Sequence, residues 1–139
     1  MVRSLQIRYH PNFKGHDTLL FAGERDDMDL LRTFFRQWTG EEIDLIKYLQ
    51  VRENVYLFSV SALLLRRGMK RDSFIWSQDK GTWLISQAHQ EQIIGLLDGL
   101  IETSGGHQYL DKGTSSAQII ASLNEHYPLP TVENSSADS

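Results

Sequence analysis

Residues 74–106 read FIWSQDKGTWLISQAHQEQIIGLLDGLIETSGG, and this stretch decides the fold class. Residues 74–76 and 82–85 are β-branched or aromatic almost throughout, which is typical of strands. The polar segment between them, 77–81, ends in glycine and suits a hairpin loop. Because this strand pair is followed by a helix instead of alternating with helices, the pattern predicts an α+β domain.

The second half of the stretch predicts an amphipathic helix. Ser86 is a favourable N-cap, and Gly105-Gly106 is a favourable end. The apolar residues recur at helical spacing and form one stripe: Ile93, Leu96, Leu97, Leu100 and Ile101. The polar residues left for solvent are Gln90, Glu91, Asp98 and Glu102.

The N-terminal part predicts a hairpin followed by another helix. Apolar and polar residues alternate over 5–10, and a second apolar run covers 18–22, so the two pair as strands across the loop at 11–16. From Asp26 the apolar spacing becomes helical until Gly40. The residues on that stripe are Met28, Leu31, Phe35 and Trp38.

The middle of the chain is ambiguous. The apolar residues of 41–49 suit a helix or a strand, and we interpret the segment as a strand because 55–60 offers a partner of high β-propensity. Residues 61–66 extend that partner, and 117–127 forms the last strand. The predicted order is ββα–ββ–ββ–α–β: one mostly antiparallel sheet with two helices on one face. The predicted buried residues are Phe35, Trp38, Ile93, Leu97 and Leu100.

Composition bounds the class and the compartment. The chain has 139 residues, 40% of them apolar, and no cysteine, which excludes disulfides and thiolate zinc sites. No secretory signal starts at Met1, and no apolar run approaches the roughly 20 residues of a membrane helix. We therefore expect a cytoplasmic protein with no membrane contact, with one domain over 1–127 and a disordered tail over 128–139.

Charge indicates the kind of partner. The net charge of −4 argues against a nucleic-acid binder. Residues 1–72 carry 12 basic and 10 acidic side chains, whereas 73–139 carry 2 and 8, which predicts a basic protein partner for the second part. The basic cluster at 66–71 surrounds Gly68 without interleaved aromatics, so we interpret it as a solvated loop.

The string at 107–111 is the one candidate chemical site. In an extended conformation it places His107, Tyr109 and Asp111 on one side, where they could hold a metal or move a proton. Only the pair Glu125-His126 is within plausible reach, and no metal motif is completed. The alternative is that His107 caps the preceding helix, so we assign no catalytic residue, metal or cofactor.

Four segments carry a resemblance to a known class of proteins. They are residues 74–76 (FIW), Trp83 leading into the 93–101 helix, 106–111 (GHQYLD) and 122–128 (SLNEHYP). In this order they resemble small bacterial immunity proteins, which are encoded beside polymorphic or contact-dependent toxins. The resemblance implies a single-domain α+β protein without chemistry of its own that blocks a toxin's active site.

We therefore predict a non-enzymatic cytoplasmic interaction protein, with immunity as its specific form. The candidate binding residues are Trp76, Trp83, Asp98, Glu102, His107, Tyr109 and Asp111. Two alternatives stay open: a small-molecule-binding or catalytic domain built on His107, Tyr109 and Asp111, and a regulatory subunit of a larger complex.

Overall fold

A computed structural model describes residues 5–13, 16–69, 73–111 and 117–125. This part of the chain forms three helices, α1 (Arg25–Gln37), α2 (Leu45–Arg52) and α3 (Gln87–Ile101). The strands are β1 (Leu5–Phe13), β2 (His16–Gly23), β3 (Ile43–Asp44), β4 (Val55–Phe58), β5 (Ala62–Arg67), β6 (Ser73–Ser77), β7 (Lys80–Ile85), β8 (Gly106–Tyr109) and β9 (Ala117–Leu123). The α+β class is confirmed.

The strands form two sheets. The large sheet has the order β4-β1-β2-β9-β8 and the small sheet the order β3-β5-β7-β6. The predicted hairpins β1–β2 and β6–β7 are present and antiparallel. The prediction of a single sheet is wrong, because the strands divide between two sheets. Both sheets are mixed: β4 runs parallel to β1, β9 parallel to β2 and β5 parallel to β7. These pairs join strands distant in sequence, and side-chain alternation specifies a strand's faces but not its neighbour.

The strand predicted for 41–49 is wrong over most of its length. Only Ile43 and Asp44 pair with β5, and α2 begins at Leu45. The Asp44 carboxylate accepts hydrogen bonds from the backbone N–H of Ile46, at 3.0 Å, and of Leu63, at 3.1 Å. The first bond is an N-cap that starts the helix, and the second ties it to the small sheet. The expected partner, 55–58, pairs with β1 instead.

Two further boundaries differ from the prediction. Residues 62–67 do not extend β4 but form β5 in the other sheet, after a break at Ser59, whose φ is 64°. Strand β8 is absent from the predicted order, and β9 ends at Leu123. Residues 126–139, including the predicted disordered tail, lie outside the described residues.

The predicted helices α1 and α3 are confirmed. At the start of α1, Glu24 and Asp27 form a reciprocal capping box, and Ser86 Oγ accepts from the His89 N–H at 3.1 Å at the start of α3. Phe35, Trp38 and Leu97 are buried as predicted. The main core cluster draws residues from all three helices and both sheets, so it lies between the two sheets and the helices.

Within the described residues, every helix is too short or too polar to cross a membrane.

Candidate interaction surface

The two faces of the large sheet have different surroundings. Side chains of alternate residues, including Leu19, Phe21 and Ile119, enter the main core with the helices. The opposite side, here called the outer face, carries Leu20, Ala22 and Ile120, which form a separate buried cluster. No helical residue of the described chain belongs to this second cluster. The outer face is therefore the side of the sheet that the main core does not use.

Exposed aromatic residues lie at both margins of the outer face. Tyr56 of β4 and Tyr109 of β8 each expose 48% of their surface. The register pairs Tyr56 with Gln6 and Tyr109 with Ile120, which places both tyrosines on the outer face. Strands β4 and β8 are the two ends of the sheet order, four strand spacings apart, so the rings are separated by roughly 19 Å across the sheet.

A buried arginine accompanies the aromatic residues of β4. The Arg8 guanidinium lies 5.0 Å from the centre of the Phe58 ring, and its Nε donates to Gln6 Oε1 at 2.9 Å. Arg8 is only 6% exposed. Its planar head is therefore held against the ring in a cation–π contact within the fold, which fixes β1 to β4.

His107 lies at the β8 margin within a small polar group. Its Nδ1 is 3.1 Å from Glu125 Oε2, and Ser122 Oγ donates to Glu125 Oε1 at 2.5 Å. The His107 and Tyr109 rings meet edge to face with centroids 5.7 Å apart, as expected for alternate residues on one side of a strand. The predicted placement of His107 beside Tyr109 is therefore present.

Asp111 does not join this pair. Strand β8 ends at Tyr109, and Asp111 Oδ1 accepts a hydrogen bond from the backbone N–H of Ile119 at 2.9 Å. This contact ties the chain just after β8 to strand β9. In the part of the chain that the structure describes, no three His, Cys, Asp or Glu side chains are grouped to hold a metal ion. His126, the other candidate partner, lies outside the described residues.

The two candidate tryptophans occupy different environments. Trp83 is 1% exposed and contacts Phe35 edge to face in the core. Trp76 is half-buried and stacks on Tyr9 with ring centroids 4.0 Å apart. Burial, reinforced by a 3.1 Å hydrogen bond to Asp17, raises the pKa of Tyr9 to about 12. Trp76 therefore joins the small sheet to the large one, and neither tryptophan lies on the outer face.

The candidate acidic residues of α3 also differ. Asp98 Oδ1 lies 2.7 Å from Arg32 Nη1 and 3.1 Å from Arg36 Nη2, so it fixes α3 to α1. The hydrogen bond to Asp98 is the main cause of the raised pKa of Arg32. Glu102 is exposed at the C-cap of the helix. Of these two carboxylates, Asp98 is engaged within the fold and Glu102 faces solvent.

These positions predict different responses to charge reversal. We expect Asp98→Lys to lower the free energy of unfolding by about 1–2 kcal/mol, because two ion pairs are lost and a third cation faces two arginines. Glu102→Lys should change it by less than about 0.5 kcal/mol, since a cation near a helix C-terminus is favourable. Urea melts of the two variants measure this. Equal midpoints would show that the Asp98 ion pairs contribute nothing.

The prediction that the basic cluster at 66–71 is a solvated loop is wrong for its first two residues, because Arg66 and Arg67 belong to strand β5. Arg66 is exposed and pairs with Glu42 at 2.8 Å, as a solvated side chain does. Arg67 is half-buried instead, with its guanidinium 4.7 Å from the centre of the Trp38 ring. Lys70 and Arg71 lie outside the described residues.

Sequence reasoning missed the residues of the β4 margin. The alternation of 55–58 would have placed Tyr56 and Phe58 on one side of a strand, but nothing in the sequence showed that β4 is an edge strand beside β1.

Comparisons of this chain with family models, with curated proteins and with solved structures found no match.

Proposed function

We propose that this chain is a non-enzymatic interaction protein that binds its protein partner through the outer face of the large sheet. The observation that carries the proposal is the pair of half-exposed tyrosines, Tyr56 and Tyr109, at opposite margins of that face. As its specific form we propose a cytoplasmic immunity protein, which the resemblance over 74–128 supports.

The chemistry of the outer face suits protein binding. Tyrosine is, with tryptophan and arginine, among the side chains most enriched at the energetic centres of protein interfaces, and this face holds two exposed tyrosines. The polar group of His107, Glu125 and Ser122 lies at the β8 margin. In this proposal these polar side chains border the contact made by Tyr109.

The same geometry gives less support to the catalytic alternative. That alternative needs His107, Tyr109 and Asp111 to converge, and the Asp111 carboxylate is engaged by the Ile119 N–H instead. His107 is paired with one partly buried glutamate, and such a pair at a surface does not by itself indicate catalysis. His107 therefore counts as a contact residue in this proposal.

Charge would act at a distance in this proposal. Glu91 of α3 and Glu102 at its C-cap are exposed carboxylates. This helix packs in the main core, on the side of the large sheet opposite to the outer face. The two carboxylates would attract a basic partner without touching it, so we expect Glu102→Lys to slow association and leave the dissociation rate unchanged.

The decisive experiment measures binding to the toxin domain that this proposal requires in an adjacent gene. We expect the Tyr56→Ala/Tyr109→Ala double variant to raise the Kd by about 1,000-fold, since each anchor is worth about 2 kcal/mol. Cells that express the toxin should lose protection in parallel. The matched control is Val51→Ala/Ile75→Ala, which removes two exposed apolar side chains from α2 and β6.

Two outcomes would reject the proposal. If the tyrosine variant binds and protects as the native chain does, the outer face is not the interface. If the chain binds no neighbouring toxin and His107→Ala abolishes an activity on a small molecule, the catalytic alternative is correct.

A further inference from the structure

The centre of the outer face is buried, although the helices pack on the other side of the large sheet. Leu20 and Ser122 are 0% exposed, Ile120 is 3% exposed and Ala22 is 5% exposed. The register places Leu20 beside Ile120 and Ala22 beside Ser122, on the adjacent strands β2 and β9. These four side chains therefore form one continuous patch that solvent does not reach.

Neighbouring side chains of the sheet do not account for this burial. Side chains stand roughly perpendicular to a sheet, so neighbours shield the flanks of a side chain and leave its tip open. A sheet face without a covering layer is accordingly solvated and polar. Among the described residues, the cluster of Leu20, Ala22 and Ile120 contains side chains of β2 and β9 only. The patch therefore needs a cover from another part of the chain.

The chain leaves the described structure on the outer face. Alternation along β9 puts Ser122 on that face and would return residue 125 to the inner side. Asn124, whose φ is 57°, breaks the alternation. The Glu125 carboxylate accepts from Ser122 Oγ at 2.5 Å and lies 3.1 Å from Nδ1 of His107, the register partner of Ser122. Residue 126 therefore starts beside the buried patch.

The segment that follows is long enough to cover the patch. Residues 126–139 follow Glu125, and every other stretch outside the described residues has five residues or fewer. An extended chain advances by about 3.3 Å per residue, so residues 126–132 alone reach roughly 23 Å. The three strand spacings from β9 to β4 amount to roughly 14 Å. Residues 126–132 can therefore cross the face.

The composition of this segment suits an extended cover. Residues 126–132 read HYPLPTV and hold all of its large apolar side chains. Tyr127 and Leu129 each precede a proline, which favours an extended backbone. Because proline has no backbone N–H, fewer donors need a partner when the segment lies on an apolar cluster. The polar composition that predicts a disordered tail belongs mainly to residues 133–139.

Charge also favours this contact. Arg8 is only 6% exposed, and it lies beside Leu20 in the register of β1 with β2. Residues 126–139 carry two carboxylates, Glu133 and Asp138, and no lysine or arginine. The buried guanidinium therefore attracts this segment, and the attraction is stronger at low dielectric than in water.

We propose that residues 126–132 cross the outer face and cover the cluster of Leu20, Ala22 and Ile120, with the Leu129 side chain against it. The two tyrosines at the margins stay half-exposed, so the segment lies between them and joins the surface that a partner would meet. This proposal revises the expectation of disorder for the first part of the tail. It does not depend on the proposed partner, because the isolated chain suffices to test it.

The direct test is a methyl NOE experiment on the full chain, labelled at its isoleucine, leucine and valine methyl groups. We expect NOEs from Leu129 to Leu20 and to Ile120. The NOE between Leu20 and Ile120, which are partners in the register of β2 and β9, is the internal control. If this control is observed and Leu129 shows no NOE to either residue, the proposal is rejected.

A second test uses the absence of cysteine from the chain. In Ala22→Cys the single thiol lies within the cluster and should react slowly with Ellman's reagent. Adding Leu129→Asp should raise the rate by about 10-fold or more, because burying a carboxylate against an apolar cluster is costly and the segment would be released. Ala137→Asp is the matched control, since it adds the same charge beyond the apolar part of the segment, and should leave the rate unchanged.

Two results of the thiol experiment would overturn the proposal. Equal rates in the Leu129→Asp and Ala137→Asp variants would show that Leu129 does not cover the thiol. Protection that is lost on dilution of the protein would assign the cover to a second copy of the chain.

Discussion

Leu97→Ala is expected to lower the free energy of unfolding by about 2–5 kcal/mol. Leu97 is fully buried on α3 and belongs to the main core cluster. The substitution removes the burial of the leucine side chain and leaves a cavity that the surrounding helices and strands can close only in part. A denaturant melt followed by circular dichroism measures the loss.

The neighbouring leucine provides a matched control. Leu96 is one residue away on the same helix but is only partly buried against the core. Because less of its surface is returned to water, Leu96→Ala should cost about 1 kcal/mol. If both variants lost the same stability, the buried stripe of α3 would be wrongly placed.

The features that the sequence predicted well are local ones. The helix α3 follows from the spacing between Ile93 and Leu100 and from the Ser86 cap, and both act within a few residues of the chain. The hairpins follow from alternation on either side of short loops. Such patterns are decided before any tertiary contact forms.

Strand partners depend on contacts that the sequence does not record. Strand β4 does not continue into β5. It pairs instead with β1, which lies some 50 residues earlier in the chain. Because the pairing of β4 with β1 is not visible in the sequence, we interpret 41–49 at that level as the strand beside β4. In the structure the Asp44 cap and the buried Leu45 and Leu49 make most of this segment a helix. Propensity was overridden by tertiary packing at this position.

The candidate site residues also divide into those placed by local sequence patterns and those placed by tertiary contacts. His107 and Tyr109 meet because alternate residues of one strand share a face, which the sequence shows. Asp111 falls outside that alternation because β8 ends first, and Tyr56 joins the outer face only through the pairing of β4 with β1. The position of Asp98 on α3 predicts exposure to solvent, but in the structure the residue pairs with two arginines of α1.

Gln90→Leu is expected to lower the free energy of unfolding by about 2–4 kcal/mol, although the spacing of the helix assigned Gln90 to solvent. Gln90 is 7% exposed, and its Nε2 donates to the carbonyl oxygens of Phe35, at 2.5 Å, and of Trp38, at 2.9 Å. These carbonyls lie at the end of α1, where the helix itself supplies no donor. A leucine of similar size would remove the donor from both.

The cost in Gln90→Leu comes from the carbonyls and not from the lost side chain. Each buried acceptor left without a donor costs about 1–3 kcal/mol, whereas an exposed glutamine can be replaced at little cost. Gln92→Leu, two residues along at an exposed position of α3, is therefore the control and should shift the urea midpoint very little. Because the Gln90 contacts join α3 to the end of α1, amide exchange of the last turn of α1 should also accelerate in Gln90→Leu alone. If amide exchange in the last turn of α1 were unchanged and the midpoint equalled that of Gln92→Leu, the hydrogen bonds from Gln90 to the two carbonyls would contribute nothing to stability.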